Sequence, residues 1–131
     1  MSSCHVSNQP ANTDDVVTNK LRKAFIHRAL WMGLILMEMK DRGLDWEEIG
    51  HAAIFKTGCL HGEGIKEQLA ATDSLVEFGK TFLSEDVIKI FEMDIKKLDE
   101  NELTVEFGYC PLVTAWQQAG IEGEMPEKLC E

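Results

Sequence analysis

Residues 91–109 read FEMDIKKLDENELTVEFGY, and this stretch decides the fold class. Phe91, Met93 and Ile95 alternate with Glu92, Asp94 and Lys96, and Leu103, Val105, Phe107 and Tyr109 alternate with Thr104, Glu106 and Gly108. A period of two sends alternate side chains to opposite faces of a strand. Leu98 to Asn101 are turn formers. The two runs therefore predict a β-hairpin with one apolar face against other elements and one acidic face in water. Glu92, Asp94 and Glu106 form the acidic strip. Paired carboxylates can do acid–base work, but a solvated sheet face is the simpler account.

On the N-terminal side the period is helical. Val17, Leu21, Phe25, Ala29, Met32, Leu36 and Met39 recur three or four apart, which predicts a helix from Asp15 to Arg42. Asp14 and Asp15 suit its positive end, and Gly43 suits the residue just past its C-terminus. Asp45-Trp46-Glu47-Glu48 is a capping box, with Leu44 and Ile49 placed as a hydrophobic staple. It predicts a second helix from Trp46 to Thr57, antiparallel to the first. Gly58, Gly62 and Gly64 are expected to loosen the chain. Ile65, Leu69, Val76 and Leu83 put a helix back on from Gly64, broken at Thr72-Asp73-Ser74 with Asp73 as cap. After Ser84 the period of two takes over.

On the C-terminal side, Pro111 to Gly120 reads as a short helix with Pro at its start and Gly at its end, and a final turn begins near Pro126. Residues 1–13 are polar and aperiodic, a disordered tail. Residues 14–131 make a single α+β domain. Its long N-terminal antiparallel helical hairpin and further helices pack on a C-terminal β-hairpin, with a short C-terminal helix. A two-stranded hairpin has two open edges, so either a second copy adds a strand in a homodimer through the hairpin edges, or a continuation of the chain does, or the edges are tolerated.

Composition bounds the partners. The 131 residues hold 13 Lys and Arg against 23 Asp and Glu, a net charge of −10. Nucleic acids and anionic membrane surfaces demand cations, so neither is an expected partner. The longest apolar run, Ala29 to Met37, is far short of the about 20 residues that span a bilayer. The N-terminus has no apolar signal segment. A cytoplasmic protein is expected, with Cys4, Cys59, Cys110 and Cys130 reduced. No nucleotide-binding, zinc-protease, calcium-loop or serine-hydrolase motif occurs, and no cofactor is required. A small molecule is the expected ligand.

Cys110 stands where the second strand hands over to the Pro111 helix. The positive end of a helix dipole favours a thiolate there, a plausible nucleophile position. A small apolar residue at the core rim fits as well. Tyr109 and Trp116 flank it as candidate substrate-binding aromatics, although Trp116, with Trp31 and Trp46, also reads as core. His51 is a candidate catalytic histidine, against a satisfied interior one, and His61, two residues from Cys59, is a candidate partner of its thiolate, against an exposed histidine. Arg28 interrupts the apolar stripe of the first helix, and its planar fork suits a carboxylate, against simple exposure. Cys59, His61, Cys110 and Cys130 would form a metal site only if the fold converged them, since paired ligand spacings are absent.

Glu106-Phe107-Gly108-Tyr109-Cys110-Pro111, followed by a short helix and Gly120, resembles the L-2-amino-thiazoline-4-carboxylic acid hydrolase family, as does the order of long helices, Gly-spaced segment and hairpin. The resemblance covers about Asp15 to Cys130. It implies an α+β fold and a hydrolase that opens a C–N bond of a cyclic amidine carboxylate. Cys110 and Pro111 carry over, and Cys130 more loosely. The family pattern continues past this helix to further strands and another Cys, so a C-terminal continuation is implied. The rival reading is a non-catalytic small-ligand or metal-binding sensor domain built on the same Cys and His residues.

Overall fold

The computed structural model describes residues 7–130. Helix α1 spans Val16–Asp41 and α2 spans Trp46–Lys66. Asp15 caps α1, its carboxylate accepting from the N–H groups of Val17 and Thr18 at 3.0 and 3.1 Å. Gly43 has φ +72°, a left-handed conformation that glycine adopts without strain. Asp45 caps α2 by accepting from Glu48 N–H at 3.1 Å, as the capping box predicts. The two helices run antiparallel across this short turn.

Helix α2 does not end at Thr57. It runs through Gly58, Gly62 and Gly64 to Lys66, because these glycines take ordinary helical dihedrals. Each costs about 1 kcal/mol against Ala without breaking the helix. Helix α3, Leu75–Phe82, is capped by Ser74 rather than Asp73. Ser74 Oγ accepts from Glu77 N–H at 3.2 Å, and its carboxylate neighbour Glu100 accepts from Ser74 Oγ and Leu75 N–H. Helix α4, Glu85–Phe91, occupies the stretch where alternation was expected to begin. Ser84 caps it, Glu85 and Asp86 sit in its first turn and Lys89 in its last, a charge order that suits the helix dipole.

Strands β1, Met93–Leu98, and β2, Leu103–Phe107, form a two-stranded antiparallel sheet. Met93 faces Phe107 and Ile95 faces Val105. A bulge at Lys96 then restores Leu98 to the same side, opposite Leu103. Leu98 fills the space over Gly79 of α3, where an added Cβ would lie 2.7 Å from its Cδ1. On the other face Lys96 bridges Asp94 and Glu106. The apolar face is only partly covered, since Ile95 and Phe107 stay exposed.

Helices α5, Pro111–Gln118, and α6, Glu124–Cys130, close the fold. Ala29 and Leu36 of α1 meet Ala115, Trp116, Ile121 and Met125 in one core. Trp116 is 1% exposed, and its Nε1–H donates to Ala29 O at 3.2 Å. Gly33 opposite it has no room for a side chain: an added Cβ would meet Ile121 Cδ1 at 2.7 Å and Trp116 Cδ1 at 2.9 Å. The fold is α+β, with long N-terminal helices and a C-terminal hairpin. No helix is long and apolar enough to cross a membrane among the described residues.

Of the expected tail, residues 1–6, with Cys4, lie outside the described residues. The part that is described carries tertiary bonds from Asn8, Ala11 and Asn12.

Candidate functional site

Strand β2 ends at Phe107, and Gly108 to Cys110 lead into α5. Two backbone bonds tie this link to the end of α4: Gly108 N–H to Glu92 O and Tyr109 N–H to Phe91 O, both 3.0 Å. Residue 108 is a tight position for a side chain, because an added Cβ would lie 3.0 Å from the Glu92 carbonyl oxygen. Glu92 itself is left-handed, at φ 49° and ψ 50°, and ends α4. A non-glycine residue in that region signals strain held by its surroundings.

The surroundings are a buried polar clasp. Arg22 is 4% exposed on α1. Its Nε donates to Ile90 O at 3.0 Å, and one Nη donates to Lys89 O at 3.0 Å and to Glu92 Oε1 at 3.2 Å. The other Nη donates to Asn12 O. Its guanidinium lies 4.9 Å from the centre of the Tyr109 ring. Glu92 also accepts from Asn12 N–H at 2.8 Å and Ala11 N–H at 3.0 Å. Burial is the largest single influence on the Glu92 carboxyl and pushes it up. The Asn12 and Ala11 N–H groups and Arg22 act against burial and together hold it below the usual carboxylate range.

Cys110 is the N-cap of α5, half-buried, and its side chain makes no capping bond. Pro111 at the first helical position needs no N–H partner. The cap is instead fixed from outside by Asn8, whose Nδ2 donates to Cys110 O at 2.8 Å and whose Oδ1 accepts from Cys110 N–H at 3.0 Å. Asn8 Nδ2 also reaches Thr114 Oγ1 at 2.9 Å, and that hydroxyl shares a 2.9 Å bond with Tyr109 OH. Tyr109, Thr114 and Asn8 thus form one polar chain ending at the Cys110 backbone. A thiol held at a helix start, beside N–H groups that its own side chain leaves uncapped, can act as a nucleophile with those N–H groups facing the charge that develops.

The other expected site residues lie elsewhere. Tyr109 is buried, with its ring on Arg22 and its hydroxyl on Thr114. Trp116 is sealed in the core. Arg28 is exposed on α1, 4.5 Å over the Phe25 ring. His51 lines an open cleft of about 750 Å³ with Trp46, Glu47, Phe55, Lys128 and Leu129; Cys110 is not among its walls. Cys59 and His61 are exposed on the outer half of α2, and Cys130 is exposed at the end of α6. No three or more His, Cys, Asp or Glu residues converge on a possible metal position among the described residues. Cys59, His61, Cys110 and Cys130 are therefore not one ligand set, since α2, α5 and α6 place them on separate surfaces.

Sequence reasoning overlooked Arg22 and Asn8, and it placed Glu92 on the solvated acidic strip of the hairpin, whereas Glu92 ends α4 and pairs with Arg22. Arg22 was within reach: it stands seven residues before Ala29 and fourteen before Leu36, on the buried stripe of α1. Arg28 lies off that stripe.

These elements define a helix-rich α+β domain with an uncapped cysteine at a strand-to-helix junction. The chain belongs to the L-2-amino-thiazoline-4-carboxylic acid hydrolase family, whose model matches residues 22–131. The match begins at Arg22 and includes Glu92, Cys110 and Pro111. No curated protein and no solved structure matches the chain.

Proposed function

We propose that this chain is a small-molecule hydrolase that opens a C–N bond of a cyclic amidine carboxylate of the 2-aminothiazoline type. The observation that carries the reading is Cys110: an N-cap thiol that caps nothing, positioned by Asn8 within the segment the family model matches. In the proposed reaction Cys110 Sγ adds to the amidine carbon. The ring nitrogen takes a proton and leaves that carbon as the C–N bond breaks. Water then attacks the same carbon, displaces Sγ, and leaves a carbamoyl group on the substrate sulfur. The first-turn N–H groups of α5 offset negative charge on the substrate. The Tyr109 and Thr114 hydroxyls meet the Cys110 backbone through Asn8 and hold the junction, and the proton that the ring nitrogen takes is the one the Cys110 thiol gives up. Arg22 is consumed by Glu92 and three carbonyls, so it holds the junction and not the substrate.

The test is turnover of L-2-amino-thiazoline-4-carboxylate by the wild type and by Cys110→Ser, with circular dichroism to check the fold. Loss of at least about 10²-fold in rate with an unchanged spectrum is expected. Full activity in the folded variant removes Cys110 from the chemistry.

A further inference from the structure

Every residue of α2 from His51 to Gly64 is exposed. Helices in proteins owe most of their stability to packing of one face, and three glycines in this half lower its own propensity by about 1 kcal/mol each. The exposed surface is also apolar. Leu60 is 75% exposed, Trp31 62% and Ile35 54%, and Leu34, Ile49 and Ile54 are open as well. Ile35, Ile49 and Ile54 line a groove of about 340 Å³ between α1 and α2, so these three are continuous across both helices. These six side chains leave on the order of 600 Å² of apolar area in water, at the upper limit for a monomer and close to the ~800 Å² that each partner of a stable pair buries.

The pattern along α2 indicates the occupant. Ile49, Ala53, Lys56, Leu60 and Glu63 recur at alternating steps of four and three, the spacing of a helix seam. This seam carries one cation and one anion and is neutral, although the chain is at −10. Neither Lys56 nor Glu63 is ion-paired within the described residues. An antiparallel pairing of α2 with itself about an axis between Cys59 and Leu60 sets Lys56 against Glu63 twice, as an isologous contact requires, and brings Leu60 beside Cys59 of the second copy.

We propose that the outer face of the α1–α2 hairpin binds the same face of a second copy of this chain, with the two α2 helices antiparallel about a two-fold axis between Cys59 and Leu60. This interface is separate from the open edges of the β-hairpin and independent of the chemistry at Cys110.

Sedimentation equilibrium of the full chain tests it. The wild type is expected at twice the chain mass. Leu60→Glu is expected to raise the dimer dissociation constant at least about a hundredfold, with its helical spectrum measured on the same sample. Lys56→Glu and Glu63→Lys, both on exposed side chains, are each expected to weaken the dimer by about tenfold, because each sets two like-charge pairs face to face. The double charge swap is expected to return it to within a few-fold of wild type. A monomeric wild type overturns the proposal. So does a dimer that survives Leu60→Glu, which would point to the hairpin edges, or a double swap no tighter than the single variants.

Discussion

Arg22 and Glu92, seventy residues apart, close the junction between α1, α4 and the strand-to-helix link with a 3.2 Å ion pair. Neither group faces water for its main bonds. The Arg22 guanidinium satisfies the carbonyls of Asn12, Lys89 and Ile90, and the Glu92 carboxylate satisfies the amides of Ala11 and Asn12. The pair therefore ties the N-terminal segment, α1 and the end of α4 into one unit below Tyr109.

Removing Arg22 takes the donor from three carbonyls and leaves the Glu92 carboxylate only its two amide partners. Arg22→Met is expected to cost about 3–5 kcal/mol of stability, the range for breaking a buried pair from one side. Urea unfolding followed by circular dichroism measures it. A loss below 1 kcal/mol would show that water replaces the guanidinium, and that the clasp contributes little.

Acid acts on the same contact. The Glu92 carboxyl is held below its unfolded range, with burial opposing and the Asn12 and Ala11 amides and Arg22 prevailing. A group with a depressed folded pKa contributes stability that is complete above its unfolded pKa and is lost as pH falls through the folded one. The melting temperature is expected to fall below the ordinary carboxylate range, and Glu92→Gln is expected to flatten that slope. An unchanged slope in Glu92→Gln would assign the acid sensitivity to other carboxylates, such as the Asp15 cap, which its bond from Thr18 N–H holds low.

Two glycines of the helical hairpin should respond in opposite directions. Gly33→Ala drives a methyl against Trp116 and Ile121 in the core, and overpacking of this kind costs about 1–3 kcal/mol. Gly62→Ala meets nothing within 4 Å and is expected to stabilise α2 by about 0.5–1 kcal/mol. Thermal melts of both variants check the contrast. Equal effects would mean that α1 shifts to admit the methyl.

Asn8 positions Cys110 through its backbone and touches no substrate. Asn8→Ala removes both bonds that fix the cap. The alkylation rate of Cys110, read by mass spectrometry of the Cys110 peptide, is expected to rise several-fold as the N-terminal segment lifts away. The turnover proposed for Cys110 is expected to fall mainly in kcat. No change in either readout would make the Asn8 contacts incidental.

Local signals were legible wherever the chemistry is local. Asp45 with Glu48, Gly43, Asp15 and Pro111 mark helix ends that the structure keeps, because caps and φ preferences act within four residues. Ser74 with Glu77 is a capping box of the same kind that went unread, and Asp73 took its place. The continuation of α2 past Thr57 contradicts the glycine signal, since a penalty of about 1 kcal/mol per residue shifts a helix equilibrium without terminating the helix. The alternation that began too early shows the ambiguity of short apolar runs, which a serine cap at Ser84 resolves in favour of a helix.

The sequence by itself determined the α+β class, the helical hairpin, the strand pairing and the cysteine at the head of α5, because periodicity and capping are properties of neighbouring residues. Only the tertiary structure decided that Arg22 rather than Arg28 is buried, that Trp116 belongs to the core, and that Asn8 reaches Cys110. Those contacts span from 68 to 102 positions along the chain, and their partners are chosen by how α1 lies across α4 and α5, which no local spacing encodes.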